Sequence, residues 1–369
     1  MNHSCSTERH TGFELLRILS MLMIVLMHAI GHGGLGATAA NGTFSYFVYW
    51  FLFLLGRVST NCFVMLTGYY MVTSQTKISR LFRIEVQTLF YSLLTFGISI
   101  AFQNRSFSLN GLIQAITPIS SYVYWFISCY FMLYLAIPLL NKIILNLTQG
   151  QHRLVLCGLF IVLSLWSTLC FWSQTTAVKG GYSYIWFFAL YFLSSYIRLY
   201  QITWHSRNCL LLYFGCCLFA IFSRMNGLAL ETRFHLTGLI DILGGYQAPP
   251  SLFASIALFL LFQNIHIDSP TLKKFILKIA PLSLGVYLLH DSDFSRELLW
   301  QIIDLPRFGS LLPCLGYMLV SIFLIAVTGY LVDNLYHKLY RFIGFPKLEL
   351  KIDALVSRLT SMIEYTTKF

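Results

Sequence analysis

From Phe13 onward the chain alternates between long apolar runs and short polar gaps. A helix needs roughly 17–25 apolar residues to cross a bilayer. The pattern supplies ten such runs, near 13–31, 44–72, 84–103, 122–145, 154–173, 182–200, 208–225, 251–267, 275–291 and 309–334. The expected fold is therefore all-α, a polytopic membrane domain of about ten transmembrane helices over residues 1–345. The second run is long and carries a polar block, GRVSTN (Gly56 to Asn61), where the helix is expected to tilt or break. Beyond the tenth run, Leu348, Ile352, Leu355, Leu359 and Ile363 follow one helix face. Residues 346–369 are thus expected to form an amphipathic tail with its basic residues toward lipid headgroups. The substantial outer gaps are 31–43, 104–121, 226–250 and 292–308, and FHLTGLIDILGGY in the third is a candidate short helix on or in the membrane.

Composition sharpens this picture. Apolar residues make up 57% of the 369, charged residues only 11%, and mean hydropathy is +0.69. That charge share is about half of what an ordinary soluble domain carries, so a soluble fold is excluded. A net charge of +11 raises the idea of a nucleic-acid partner, but the basic residues are scattered through the gaps, so none is expected. With the N-terminus inside, seventeen Lys and Arg fall in cytoplasmic gaps and six outside, which places both termini in the cytoplasm. A rival reading makes residues 1–40 a cleaved signal peptide, with Arg9 and Arg17 before an apolar core and ATA at Ala37 to Ala39 as the cleavage site. The nine cysteines form no C-x-x-C pair, and most lie within the runs, where they are expected as free, buried apolar fillers.

The candidate chemistry begins in FELLRILSMLMIVLMHAI. Arg17 and His28 are eleven positions apart, which is three turns plus about 20°, so they share a helix face and stand roughly 16 Å apart along the axis. Glu14, one turn before Arg17, is placed to pair with it or orient it. Arg57 at membrane depth is expected to face protein or water, either as a structural arginine on carbonyls or a carboxylate, or as a functional one. A lone histidine on an apolar helix is more often a packing residue than a catalyst. His28 and His32, one turn apart, raise a metal site, but linear spacing offers no third ligand, so none is expected.

Several ordered blocks change the weight given to His28. They are ELLRILSMLMIVLMH, with Arg17 and His28 as R-x10-H; NCFVMLTGYYMV (Asn61 to Val72); KISRLFR (Lys77 to Arg83); YWFISCYFMLYLAIPLLN (Tyr124 to Asn141); WFFALYFLSSYIR (Trp186 to Arg198); and PLSLGVYLLHD (Pro281 to Asp291). Together they resemble the acyltransferase-3 family of integral membrane acyltransferases, which move acyl groups, commonly acetyl, onto hydroxyls of cell-surface carbohydrates. Thr67 stands where the family has serine and keeps the hydroxyl; Ser194–Ser195 stands where a glycine is expected. The esterase-like C-terminal domain of some members has no counterpart here.

The resemblance implies a multi-pass protein of a bacterial plasma membrane that takes an acyl-CoA, commonly acetyl-CoA, from the cytoplasmic side as co-substrate, with no bound cofactor. The acceptor would be a cell-surface polysaccharide or glycolipid on the outer side. On that reading His28 and Glu14 are the catalytic pair, with His28 either general base or acyl carrier. Arg17, Lys77, Arg80 and Arg83 are the donor-binding cations, since guanidinium pairs with phosphate. Arg57, Asn61, Tyr69, Trp125, His290 and Asp291 would border the acceptor chamber. Without the family, Lys77, Arg80 and Arg83 read as topology signals, and Trp125 with its aromatic neighbours as a membrane-interface belt. A glycolipid transporter or flippase, with Arg17, Arg57 and His28 along its path, is the alternative; the missing internal repeat counts against it.

Overall fold

The computed structural model describes residues 10–102, 105–170, 178–235 and 237–366. Arg9, position 104 of the second outer gap, the last three positions of the fifth predicted run and the last three of the tail lie outside them. Among the described residues every regular element is helical.

Helix α1 (Thr11–Gly31) starts where the His10 imidazole accepts from the Phe13 amide at 3.3 Å, supplying a partner that a first-turn N–H lacks. A short α2 (Leu35–Thr38) leads to α3 (Phe44–Arg57), capped by the Thr43 hydroxyl, and α4 (Ser59–Met71). The second apolar run is therefore interrupted at Val58, inside the GRVSTN block. Helix α5 (Ile78–Ala101), the short α6 (Leu109–Ile116) within the gap 104–121, and α7 (Trp125–Leu145) follow. Helix α8 (Gln149–Leu159) begins with a Thr148–Gln151 capping box and continues through a π-helical stretch into α9 (Ser167–Leu169). Then come α10 (Tyr184–Leu199), α11 (Ser206–Phe234), α12 (Pro249–Gln263), α13 (Pro270–Ile279), α14 (Ser283–His290) and α15 (Arg296–Ile303). Helix α16 (Leu311–Ile343) ends at Gly344, whose φ of 90° suits only glycine well, and α17 (Phe345–Thr366) turns back from it.

Among the described residues, seven stretches are long and apolar enough to cross a membrane: Thr11–Gly31, Phe44–Met71, Ile78–Ala101, Trp125–Leu145, Gln149–Leu169, Ser206–Glu231 and Leu311–Ile343. Of the remaining predicted runs, α10 and α12 have 16 and 15 residues, about 24 Å of helix or less. The ninth is divided into α13, a 3-10 turn at Ala280–Leu282, and α14. Pro281 in that turn has no N–H to donate, which suits the change from α-helix to a 3-10 turn there.

The third outer gap differs from expectation. Helix α11 ends at Phe234, eight positions past the predicted loop start at 226; of the expected short helix, Leu236 lies outside the described residues, and His235 and Thr237 to Tyr246 form turns and bends instead. Gly238 at φ 92° helps break the helical path, and carbonyls that a helix would consume instead serve buried side chains: Gly244 O accepts from Arg57 Nε at 2.9 Å and Tyr246 O from Asn61 Nδ2 at 2.9 Å.

Helix α1 is central, packing against α3, α4, α12, α13, α14 and α16. Its Phe13 and Leu16 belong to one cluster of the core and its Val25 and Ile30 to the other. Cleavage of residues 1–40 would remove the element joining the two. Lipid tails are as apolar as the helices, so cohesion in such a bundle comes from close packing and hydrogen bonds. Gly56 shows the first: a Cβ there would stand 2.7 Å from Met23 O. Buried Asp333 shows the second, accepting from Gln87 Nε2 at 2.7 Å and Tyr91 OH at 3.1 Å to tie α16 to α5. The described cysteines are free, but not all are buried fillers: Cys157 on α8 is exposed.

Candidate active site

The face of α1 that the sequence singled out borders an internal cavity of about 330 Å³. Arg17, Met21, Ile24 and His28 line it, at steps of four, three and four residues that keep one stripe of the helix turned toward the space. Opposite stand Thr67 and Tyr70 of α4, Arg80 and Ile84 of α5, Trp125 and Tyr130 of α7, and Tyr287 of α14. The walls are mostly apolar, with cations at one end and imidazole at the other.

At the C-terminal end of α1, His28 Nδ1 lies 2.9 Å from His290 Nε2, across 262 positions of sequence. His290 Nδ1 lies 2.6 Å from Val286 O one turn back on α14. A carbonyl only accepts, so His290 Nδ1 carries the hydrogen, and in the neutral ring Nε2 is the acceptor. With both rings neutral, His28 Nδ1–H donates to it, and the bare nitrogen of His28 is Nε2. Asp291 is buried beside them: its Oδ1 lies 3.6 Å from His28 Nδ1, 3.7 Å from His32 Nε2 and 3.2 Å from Arg296 Nη1. Arg296 also reaches Asp293 Oδ1 at 2.8 Å.

The fold thereby supplies the third side chain that linear spacing did not offer to His28 and His32: Asp291 completes a set whose ligand atoms all fall within 4.8 Å of one another.

Above this cluster, Tyr122, Trp125, Tyr182, Asp291, Asp293 and Arg296 line an outer hollow of about 370 Å³. Trp125 is common to both spaces. Burial pushes the Asp293 carboxyl above its ordinary range, against the pull of Arg296 and Arg105.

At the N-terminal end of α1, Arg17 Nη1 donates to Glu14 Oε2 at 2.7 Å. Fourteen residues separate Glu14 from His28, about 21 Å of helix, so Glu14 is the partner of Arg17 and stands out of reach of the histidine. Arg80 Nη1 touches Met71 Sδ at 3.2 Å, and the guanidinium pairs with no carboxylate among the described residues. Arg83 is different. Its Nε donates to Glu349 Oε1 at 2.8 Å and its Nη2 to Oε2, a two-point pair with the tail helix. Asp353 accepts from the Ser79 amide and hydroxyl at 3.1 and 2.8 Å. Arg83 and the Tyr340 hydroxyl hold the Glu349 carboxyl below its ordinary range despite burial. Lys77, exposed at the N-cap of α5, exchanges backbone hydrogen bonds with the Tyr134 hydroxyl and does not border the cavity.

The proposed chamber residues divide similarly. Trp125, His290 and Asp291 stand at the cavity, the hollow or the cluster between them. Arg57 is buried on Gly244 O, on the Tyr182 hydroxyl at 3.1 Å and over the Tyr246 ring at 3.7 Å, which is the structural arrangement on carbonyls. Asn61 is fully engaged: Nδ2 donates to Tyr246 O and to Ser255 Oγ, and Oδ1 accepts from Trp186 Nε1 at 3.0 Å. Tyr69 packs edge-on against Phe13 and accepts from Arg198 Nη1 at 3.3 Å. Neither Asn61 nor Tyr69 has a free side toward the cavity. Sequence reasoning missed Arg296, counted only as an outer charge, and Tyr287, although it stands one turn before His290 in SLGVYLLHD.

Residues 10–333 match the model of a family described as an acyltransferase domain. Searches of curated proteins and of solved structures return no match.

Proposed function

Because the chain belongs to the acyltransferase-3 family and is a membrane acyltransferase, we propose that it transfers an acetyl group from acetyl-CoA to a hydroxyl of a cell-surface polysaccharide or its lipid-linked precursor. The observation that carries this reading is the single cavity running along α1 from Arg17 and Arg80 to His28. Two guanidinium groups at one end suit the phosphates of CoA, and Glu14 orients the first of them. The roughly 16 Å between Arg17 and His28 is comparable to the extended pantetheine arm, so the thioester arrives at the histidine while the nucleotide stays at the inner mouth. The outer hollow, with rings of Tyr122, Trp125 and Tyr182 beside carboxylates and Arg296, suits a sugar: rings cover its apolar faces and charged groups take its hydroxyls.

The chemistry follows from the tautomer. His28 Nε2 takes the proton of the acceptor hydroxyl as the oxygen attacks the thioester carbonyl. The carbonyl π pair moves to oxygen, then returns as the C–S bond breaks and its electrons leave on sulfur. The imidazolium gives its proton to that sulfur, so ester and free thiol leave and the enzyme is restored. Asp291, 3.6 Å from Nδ1, faces the positive charge while it exists. His290 holds the ring in the tautomer that keeps Nε2 bare.

Reconstituted protein with radiolabelled acetyl-CoA and candidate surface glycans tests this directly. Label is expected in a base-labile ester on the glycan, and its absence with every hydroxylated acceptor would overturn the reading.

A further inference from the structure

We propose that His28, His32 and Asp291 form an inhibitory site for a divalent zinc-like cation, reached from the outer side. The inference rests on the reading of His28 as the base. Asp291 Oδ1 stands 3.6 Å from His28 Nδ1 and 3.7 Å from His32 Nε2. Both distances are too long for hydrogen bonds. These two distances are close to what one shared ion imposes, since Zn²⁺ with bonds of about 2.0–2.1 Å sets tetrahedral ligand atoms roughly 3.3 Å apart; the His28 and His32 nitrogens lie within 4.8 Å of each other and would have to draw closer as both turn onto the ion. Two imidazole nitrogens and one carboxylate oxygen are a zinc-type donor set, whereas Mg²⁺ and Ca²⁺ prefer oxygen alone.

The surroundings permit the exchange. Arg296 now shares Asp291, but it also holds Asp293 at 2.8 Å, so it keeps a carboxylate when Asp291 turns to the ion. The His32 side chain is 41% exposed, and Asp291 borders the outer hollow. An ion therefore meets His32 first, ahead of the more buried His28 and Asp291.

Binding stops the reaction by moving one proton. An ion on His28 Nδ1 displaces the hydrogen that donates to His290, and the neutral ring then carries its hydrogen on Nε2. The nitrogen that must accept the hydroxyl proton is occupied, while the donor end of the cavity is untouched. Inhibition should thus lower kcat without raising the KM for acyl-CoA. Tighter-binding Cu²⁺ should act at lower concentration than Zn²⁺.

The experiment uses the full chain in detergent, with Zn²⁺ as titrant, and reads binding by calorimetry alongside acyl transfer. One Zn²⁺ per chain is expected, with transfer lost on binding and restored by chelator, and Mg²⁺ without effect. His32→Ala should keep basal transfer but shift both binding and inhibition at least tenfold to higher Zn²⁺; His32→Gln should do the same with the side-chain volume kept. No stoichiometric binding to the wild-type chain, or equal binding to His32→Ala, overturns the site. Stoichiometric binding that is lost in His32→Ala, yet leaves acyl transfer intact, keeps the site and overturns His28 as the base instead.

Discussion

At the outer end of α1, His28 meets His290 at 2.9 Å and Asp291 at 3.6 Å, with Arg296 closing the group. At the other end, Arg17 meets Glu14 alone among the described residues, and Arg80 shares the cavity mouth with a thioether for company. The outer groups are contributed by segments far apart in sequence, and each is held by another. Those at the mouth keep donors available. A proton-transferring site requires the fixed frame, because misplacement by about 1 Å costs on the order of a hundredfold in rate. A site for a mobile anion requires charge with unspent hydrogen-bonding capacity. The contrast extends to Arg83, one turn from Arg80, whose capacity is spent on Glu349.

The sharpest way to break this contrast is at the outer end. His28→Ala should lower kcat about a thousandfold, within the usual range for a positioned base, while the apparent affinity for acyl-CoA is kept. Steady-state kinetics with each substrate varied checks this, and transfer within tenfold of wild type would remove His28 from the reaction.

Asp291→Asn should cost kcat about tenfold to a hundredfold, since a charge pair at such separation in protein surroundings is worth a few kcal/mol. Because Asp291 acts through the imidazolium, the KM for acyl-CoA should stay unchanged; a loss confined to KM would place the carboxylate elsewhere.

At the inner end the split should reverse. Arg17→Ala or Arg80→Ala removes charge-assisted hydrogen bonds worth about 1.5–3 kcal/mol, and the KM for acyl-CoA should rise about tenfold or more with kcat nearly kept. An unchanged KM in both variants would move donor binding away from the Arg17 mouth.

The smallest effect is expected at Arg83. Arg83→Ala should leave donor affinity within about twofold of wild type but free the tail, read as faster proteolysis within α17. The same docking should weaken in acid. Glu349 has its folded-state value held below the ordinary 4.5, so its contribution is complete above that value and is lost as pH falls through the lower one. Tail protection that persists in Arg83→Ala would show that this pair does not hold α17.

How much of this was legible in the sequence follows the same division between local and distant contacts. The shared face of Arg17 and His28, the break within GRVSTN and a helix in the tail are consequences of helical period and local polarity, and periodicity exposes them. The meeting of His28 with His290 spans 262 positions and leaves no periodic trace. Arg80 and Arg83 look alike in KISRLFR, and only the return of α17 onto α5 separates a free guanidinium from a committed one. Asn61 and Tyr69 sit in a family block, yet their polar atoms are consumed by neighbours on α10, α12 and the turn before it. Pro281 marks the place where the ninth run breaks, but Pro138 sits inside an unbroken α7, so proline alone does not tell the two cases apart.

The central claim is that one cavity joins an inner donor mouth to an outer base, and a sided assay tests it most directly. Proteoliposomes of known orientation receive labelled acetyl-CoA only on the Arg17 and Arg80 side and a hydroxylated acceptor only on the Arg296 side. Labelled ester on the acceptor is the expected result. Ester formed only when both substrates share one side, or only with acetyl-CoA on the Arg296 side, would contradict it.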